Sequence, residues 1–248
     1  LTYINSVIYQ EDTLSSNEQH KTFDYKKDAL AIFTTLKNGG VSINPILSGY
    51  AIMGASDDAI KRIYEAKKRP FNKPSGIVSN FRTHNEIHVV DHHHKEIIKD
   101  FSENYEYPLA VLAPYDNSHL LFQSLTPFMR SIGTKNSNVN FLINSGPLRN
   151  NIANLSLDNT FPMIASSANI SGSGVKYKVA DIESGLLKIA DLVIDYGDVP
   201  YQKFDDSGFP LSSTIIDFES LKVVRKGVFF KELVSVFKDK YQLVLNTD

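Results

Sequence analysis

The sequence contains no cysteine and no tryptophan. Without thiols there can be no disulfides, no thiolate metal sites and no cysteine nucleophile, a composition that suits a reducing compartment. Glycine and proline are sparse, 13 and 10 among 248 residues, which excludes collagen-like and low-complexity chains. An excess of either charge is missing too. Lys and Arg number 26 against 28 Asp and Glu, and the net charge of -2 argues against a chain that coats nucleic acid or a membrane. Any basic site must therefore be local. No apolar run approaches the ~18 residues of a membrane span, and residues 1–20 lack the charged-then-apolar pattern of a secretion signal. The default expectation is a cytoplasmic protein with no membrane partner. What is present is a 42% hydrophobic content, enough for one sizeable core.

Residues 1–27 combine Tyr3, Ile4, Val7, Ile8 and Tyr9 with the polar run Glu11–Lys21, and read as a short strand and a connection forming an N-terminal appendage. A domain is expected over residues 28–248. From Asp28 the spacing turns helical, with Ala29, Ile32, Phe33 and Leu36 on one face and Gly39-Gly40 as the stop. Residues 41–45 read as a strand. A second helix is expected from Ser56 to Lys68, because Pro70 biases Arg69 away from helical geometry. Strand-length apolar runs follow at 76–79, 109–113, 139–143, 161–165, 192–195, 213–217 and 221–225. Helical stretches at 95–105, 147–155 and 179–190 fall between several of them, and 228–237 looks like a last amphipathic helix. Alternation of this kind predicts an α/β protein with a mixed sheet and flanking helices. The asparagine-rich segment 136–159 reads as ordinary polar surface with turns.

Three segments carry chemistry. In Lys67-Lys68-Arg69-Pro70-Phe71-Asn72-Lys73-Pro74, two prolines hold cations in an extended segment after a helix end, an arrangement that suits phosphate, carboxylate or bicarbonate. A solvated basic helix end explains the same residues. Ser166-Ser167-Ala168-Asn169-Ile170-Ser171-Gly172 follows an expected strand, where backbone amides and hydroxyls can form an anion-binding concavity; a plain Ser/Gly turn is the alternative. Ser212-Ser213-Thr214-Ile215-Ile216-Asp217 and Val223-Val224-Arg225-Lys226-Gly227 place hydroxyls and a guanidinium near each other if they pair as a hairpin. Phosphate-loop, dinucleotide and nucleophile-elbow fingerprints are absent. His92, His93 and His94 are adjacent and cannot converge on one ion; they read as a solvated turn, and no metal site is expected.

Taken in order, Lys67-x-Arg69-Pro70, Ser167-Ala168-Asn169-x-Ser171-Gly172, Ser213-Thr214-x-x-Asp217 and Arg225-x-Gly227 resemble the YrdC-like family of threonylcarbamoyl-AMP synthases, from about residue 28 to 228. The resemblance implies a twisted mixed sheet around a cationic concave site. It implies a reaction joining L-threonine, bicarbonate and ATP into threonylcarbamoyl-adenylate, with Mg²⁺ accompanying the triphosphate and pyrophosphate released. The product would serve tRNA modification through a downstream carbamoyl-transferase. By position, Lys67 and Arg69 fall at catalytic places, Arg69, Lys73, Ser167, Asn169 and Arg225 at ATP contacts, and Ser48, Tyr50 and Ser213 on the amino-acid side. The chain also departs from the family pattern. Ile46 stands for a threonine, Leu142 for a strand arginine and Val78 for a histidine, so the partners for an amino-acid substrate are depleted and threonine is expected to be a poor one. Other outcomes stay open: a relative using another amine or carbamoyl donor, a nucleotide-binding regulatory module, or a non-catalytic relative binding double-stranded or tRNA-type RNA across Lys61–Lys73.

Overall fold

Apolar runs too short for helices become strands here, and the helical repeats between them become covers for the resulting sheets. A computed structural model describes residues 23–247. Strands β1 (Val41–Ile46) and β2 (Gly49–Gly54) form an antiparallel hairpin about Leu47-Ser48. With β3 (Gly76–Ile77), and further along the chain Ile164–Ser167 (β7) and Leu192–Val193 (β8), they make a sheet of order β3-β7-β2-β1-β8, whose last pair is parallel. A second sheet contains β4 (Leu109–Pro114), β5 (Thr134–Lys135), β6 (Asn138–Ile143), β9 (Thr214–Asp217) and β10 (Lys222–Arg225), in the order β10-β9-β4-β6-β5 with β4 and β9 parallel. The expected single mixed sheet is thus two twisted mixed sheets.

The helices are α1 (Tyr25–Lys37), α2 (Asp57–Ala66), α3 (Phe81–Ile87), α4 (His92–Asn104), α5 (Leu120–Gln123), α6 (Pro127–Gly133), α7 (Pro147–Asp158), α8 (Ser184–Ile189) and α9 (Phe230–Tyr241). Helices α4 and α9 bury Ile97, Phe101, Leu233 and Phe237 against Val111, Ile143 and Ile216 of the second sheet. Helices α1 and α7 pack beside Met53 of the first. A further cluster joins the two sheets: Ile77 and Ile164 from one, Val139 and Phe141 from the other, with Met129 and Ile132 of α6. Burial of each such side chain contributes roughly 1.5–3 kcal/mol. That shared core holds the sheets at a fixed separation, which leaves a cleft beside it.

Several expectations change. The helix before β1 begins at Tyr25, capped by the Asp24 carboxylate on Lys27 N–H, so the boundary at residue 28 falls inside α1. The strand and connection expected before it lie outside the described residues. The stretch 179–190 is not one helix: a 3-10 turn at Val179–Asp181 straightens at Ile182, which turns into the core, before the short α8. His92–His94 form the first turn of α4, where Asp91 accepts from His94 N–H, rather than a loop. The asparagine-rich segment contributes β6 and α7. Among the described residues, no helix is long and apolar enough to cross a membrane.

Helix α3 delivers His84 to a contact with His88. Both are buried, and their Nδ1 atoms lie 2.8 Å apart while His88 Nε2 is 3.3 Å from Val139 O. If His88 Nε2 donates to that carbonyl, its Nδ1 must accept from His84, so the pair fits two neutral rings and no additional proton. Burial holds His84 down to about 4 from the ordinary 6.5, and His88 well below 6.5 by burial and by His84 itself. Because the unfolded chain takes up protons that the native pair refuses, stability present above pH 6.5 is lost as the pH falls toward 4. Denaturant melts across that window should show a decline of up to ~1.4 kcal/mol per pH unit per histidine. A decline no smaller in His84→Leu than in the wild type would remove the pair as its source.

Candidate functional site

The cleft between the sheets has a volume of about 500 Å³. Alternation along β6 turns Asn138, Asn140 and Leu142 into it and Val139, Phe141 and Ile143 into the core. Ala110 and Leu112 of β4, Ile215 and Asp217 of β9 and Ser167 of β7 line it, with Arg69, Ser213 and Arg225. The asparagines read as ordinary surface therefore belong to the site wall.

The segment after α2 departs from the reading of open cations. Lys67 is 1% exposed, and its ammonium donates to the carbonyls of Ser167 and of Asn169, the latter at 2.7 Å. Ser171 N–H donates back to Lys67 O at 2.8 Å. Burial first, then the nearby charges of Arg69 and Lys73, with Glu183 opposing, bring this amine down to about 7. Lys67 is thus a clamp on the Ser-Ala-Asn loop and stands outside the cleft lining, as do Lys73 and Asn169. Asn169 is itself buried; its amide donates to Ile170 O at 2.6 Å and its Oδ1 has no partner.

Arg69 does line the cleft. Its guanidinium lies over the Tyr64 ring, 5.6 Å from the centroid, and donates to Lys73 O and Pro74 O. Arg225 donates to Ser213 O through Nε at 3.0 Å and Nη2 at 2.8 Å. It remains solvent-accessible while densely surrounded, and that crowding, followed by Arg69, lowers its guanidinium to about 10. The Arg-Lys-Gly sequence has a local reason: a Cβ on Gly227 would lie 2.1 Å from Ser212 O, so only glycine lets the chain just after β10 pass against Ser212–Thr214. Thr214 Oγ1 fastens the same crossing, accepting from Gly227 N–H and donating to Val228 O.

Ser48 and Ser213, 165 residues apart, meet with hydroxyl oxygens at 2.9 Å. Gly49 makes the turn possible: its φ is +146°, and a Cβ would lie 2.1 Å from the Val175 side chain. Tyr50 lines the cleft, and its hydroxyl is already bonded within the fold. It donates toward Asp195 at 3.0 Å and Gly197 O at 2.8 Å and accepts from Tyr196 N–H, and burial raises its pKa. Ile46 and Leu142 line the cleft as apolar surface, whereas Val78 lies in the core beside α1 and α7.

One residue was missed. Arg149 of α7 lines the cleft while 4% exposed; Nη1 lies 3.3 Å from Met53 Sδ and Nε has no partner. The signal was in the helical spacing, since Arg149, Ile152, Ala153 and Ser156 share the buried stripe of α7. No group of three or more His, Asp or Glu side chains among the described residues could hold a metal ion.

The clamp yields a test. Lys67→Met leaves the Ser167 and Asn169 carbonyls without their donor, at a cost of about 1–3 kcal/mol in unfolding free energy. Unchanged urea midpoints would show instead that Lys67 is dispensable to the loop.

Comparison with known proteins agrees with this geometry. The Sua5/YciO/YrdC family model, described as telomere recombination, matches residues 34–227. A protein of Methanocaldococcus jannaschii that carries the provisional name threonylcarbamoyl-AMP synthase is 29% identical over 222 residues, 87% of this chain and 90% of that one. Among solved structures, Sua5 of P. abyssi in a doubly substituted form aligns at TM-score 0.66 and 20% identity over 87% of this chain. The match spans only 61% of the Sua5 chain. Sua5 of the same source complexed with L-threonine aligns at 0.63 and 20%, over 84% of this chain and 56% of that one. YciO of E. coli aligns at 0.62 and 19%, over 82% and 90%. The family match takes in every motif that builds the cleft, and the chain belongs to the Sua5/YciO/YrdC family.

Proposed function

We propose that the protein is an ATP-dependent enzyme that makes a carbamoyl-adenylate from bicarbonate and an amino-bearing acceptor, with threonine the acceptor suggested by its relatives. The observation that carries this reading is the state of the cleft's cations. Arg69 and Arg225 are held by backbone carbonyls, and none of the ion pairs among the described residues includes them. Their charge is left for a ligand. In the first step the amine nitrogen bonds to the bicarbonate carbon and water leaves, giving a carbamate. A carbamate oxygen then attacks the α-phosphorus, and the bond to pyrophosphate breaks. Each step brings anions together, so fixed guanidinium groups act by positioning and by offsetting charge.

In this reading Arg69 and Arg225 face the phosphates, Ser167 supplies backbone and hydroxyl at the strand end, and Ser213, held from behind the lining by Ser48, faces the acceptor. Lys67 and Asn169 act by holding the loop. Mg²⁺ would arrive with the triphosphate. The lining offers one carboxylate, Asp217, whose oxygens already accept from Glu219 N–H and Ser220, and Mg²⁺ is commonly held by few carboxylates plus substrate phosphates. The adenylate would be consumed by a transferase acting on tRNA. An RNA-binding role for Lys61–Lys73 has less support, because Lys61 and Arg62 lie beside Asp58 and Asp191.

Incubation with ATP, Mg²⁺, labelled bicarbonate and single amines is the direct test. Pyrophosphate should appear only when bicarbonate and an acceptor are both present; release without either, or none with any amine, would refute the reading. Arg69→Met and Arg225→Met should each weaken ATP binding by about 1.5–3 kcal/mol, read by calorimetry.

A further inference from the structure

Arg149 is a charge that the fold itself does not use. A guanidinium taken almost wholly out of water is costly unless it is paired, and Nη1 meets a thioether, a weak acceptor. It also occupies the third position of α7, inside the first turn, where the helix dipole disfavours a cation. Gly146 at the helix start has no side-chain cap, so nothing negative offsets either effect from that end. Burial alone lowers this group to about 10, with no carboxylate acting on it.

The surroundings are those of a polar ligand. Leu47 N–H donates to Ser145 O at 3.1 Å, which seats the start of α7 on the β1–β2 turn, one residue before Ser48. Register pairs Ser42 with Met53 and Asn44 with Ala51, so Asn44 shares the sheet face that Arg149 touches. Asn140 Oδ1, in the cleft wall, is buried without a partner, and so, behind the lining, are Asn44 Oδ1 and Ser145 Oγ.

We propose that Arg149 is a specificity-determining residue that receives a carboxylate-type oxyanion in the cleft, the positive end of α7 reinforcing it. The anion is either the carboxylate of the acceptor or the bicarbonate that becomes its carbamate. Either way, Arg149 restores a cation to a wall from which Leu142 and Ile46 supply none. The inference rests on the carbamoyl-adenylate reading and names a recognition element for it. With the acceptor carboxylate as the anion, Arg149 supplies an amino acid with a partner that Ile46 and Leu142 do not.

The test is calorimetric and independent of turnover. Wild-type, Arg149→Met and Arg149→Lys proteins are titrated with a non-hydrolysable ATP analogue, then, with the analogue bound, with L-threonine, L-valine, their decarboxylated counterparts 1-amino-2-propanol and isobutylamine, and bicarbonate. ATP-analogue affinity should be the same in all three, and its absence from the wild type would refute the functional reading alone. Arg149→Met should weaken either the two amino acids or bicarbonate by about 10- to 100-fold, and Arg149→Lys should lose less. Loss confined to the amino acids, with the decarboxylated amines unaffected, assigns the anion to the acceptor; loss confined to bicarbonate assigns it to the carbamate precursor. Equal affinities for every anion in wild type and Arg149→Met would overturn the proposal, as would a wild type that binds the analogue but none of the anions. Thermal melts of both variants control for folding.

Discussion

The site depends on holding positive charge in place without neutralising it. Away from the cleft, the cations of Arg82, Lys176 and Lys240 lie against Glu86 and Asp158, Glu183 and Asp100. Inside and beneath it, Lys67, Arg69 and Arg225 donate to carbonyl oxygens. A carbonyl satisfies a hydrogen bond and fixes an orientation, but it cancels little of the charge. The field that remains belongs to whatever anion enters, and groups already oriented need no reorganisation when it does. Burial lowers the pKa values of Lys67 and Arg225 most, and the neighbouring charge of Arg69 adds repulsion to each.

Such repulsion must be opposed by the fold, and long-range contacts oppose it. Lys67 ties the end of α2 to a loop a hundred residues later. Ser48 ties the first hairpin to Ser213 on the second sheet. Gly227 lets the chain beyond β10 cross against Ser212–Thr214, and Arg225 holds Ser213 O beside that crossing. Beneath these ties, the cluster around Ile77, Phe141 and Ile164 fixes the angle between sheets, so the cleft is a property of the core and not only of its loops.

The sequence was most readable where chemistry and local geometry coincide. Ser56 caps α2 and Ile60, Ile63 and Tyr64 form its buried face, as residue types within a few positions indicate, but the helix stops at Ala66 and not at the Lys68 expected from Pro70, because Lys68 turns left-handed at φ +50°. Burial was not readable in the same way. Lys67 looks like a surface cation because its carbonyl acceptors come from a distant loop, and Tyr50 looks free because Asp195 and Gly197 are 145 and 147 residues away. The asparagines of β6 resembled surface for a related reason: a cleft wall is polar on one face and buried on the other, and composition averages the two. The single sheet became two because strand lengths do not show where pairing stops.

Arg149 was concealed by the same long-range placement, and it lines the same cleft as the departures noted at Ile46 and Leu142. An arginine on a buried helical stripe, with its Nε unpartnered, destabilises the protein more than one in a wet pocket would. The apolar part of the cleft wall strengthens any charge pair formed there, because less water competes and the local dielectric is lower. Threonine and arginine side chains on β1 and β6 would have kept the cleft wetter and spread recognition over several weak contacts. Apolar residues on the strands and one guanidinium on α7 concentrate it in a single strong one. Such a site discriminates sharply between ligands that carry the matching anion and ligands that lack it, since the latter leave the guanidinium buried and unpaired. With Arg149 as the proposed anion partner, the apolar residues at Ile46 and Leu142 and the buried guanidinium would form one arrangement, selective for an anion more than for the acceptor's side chain.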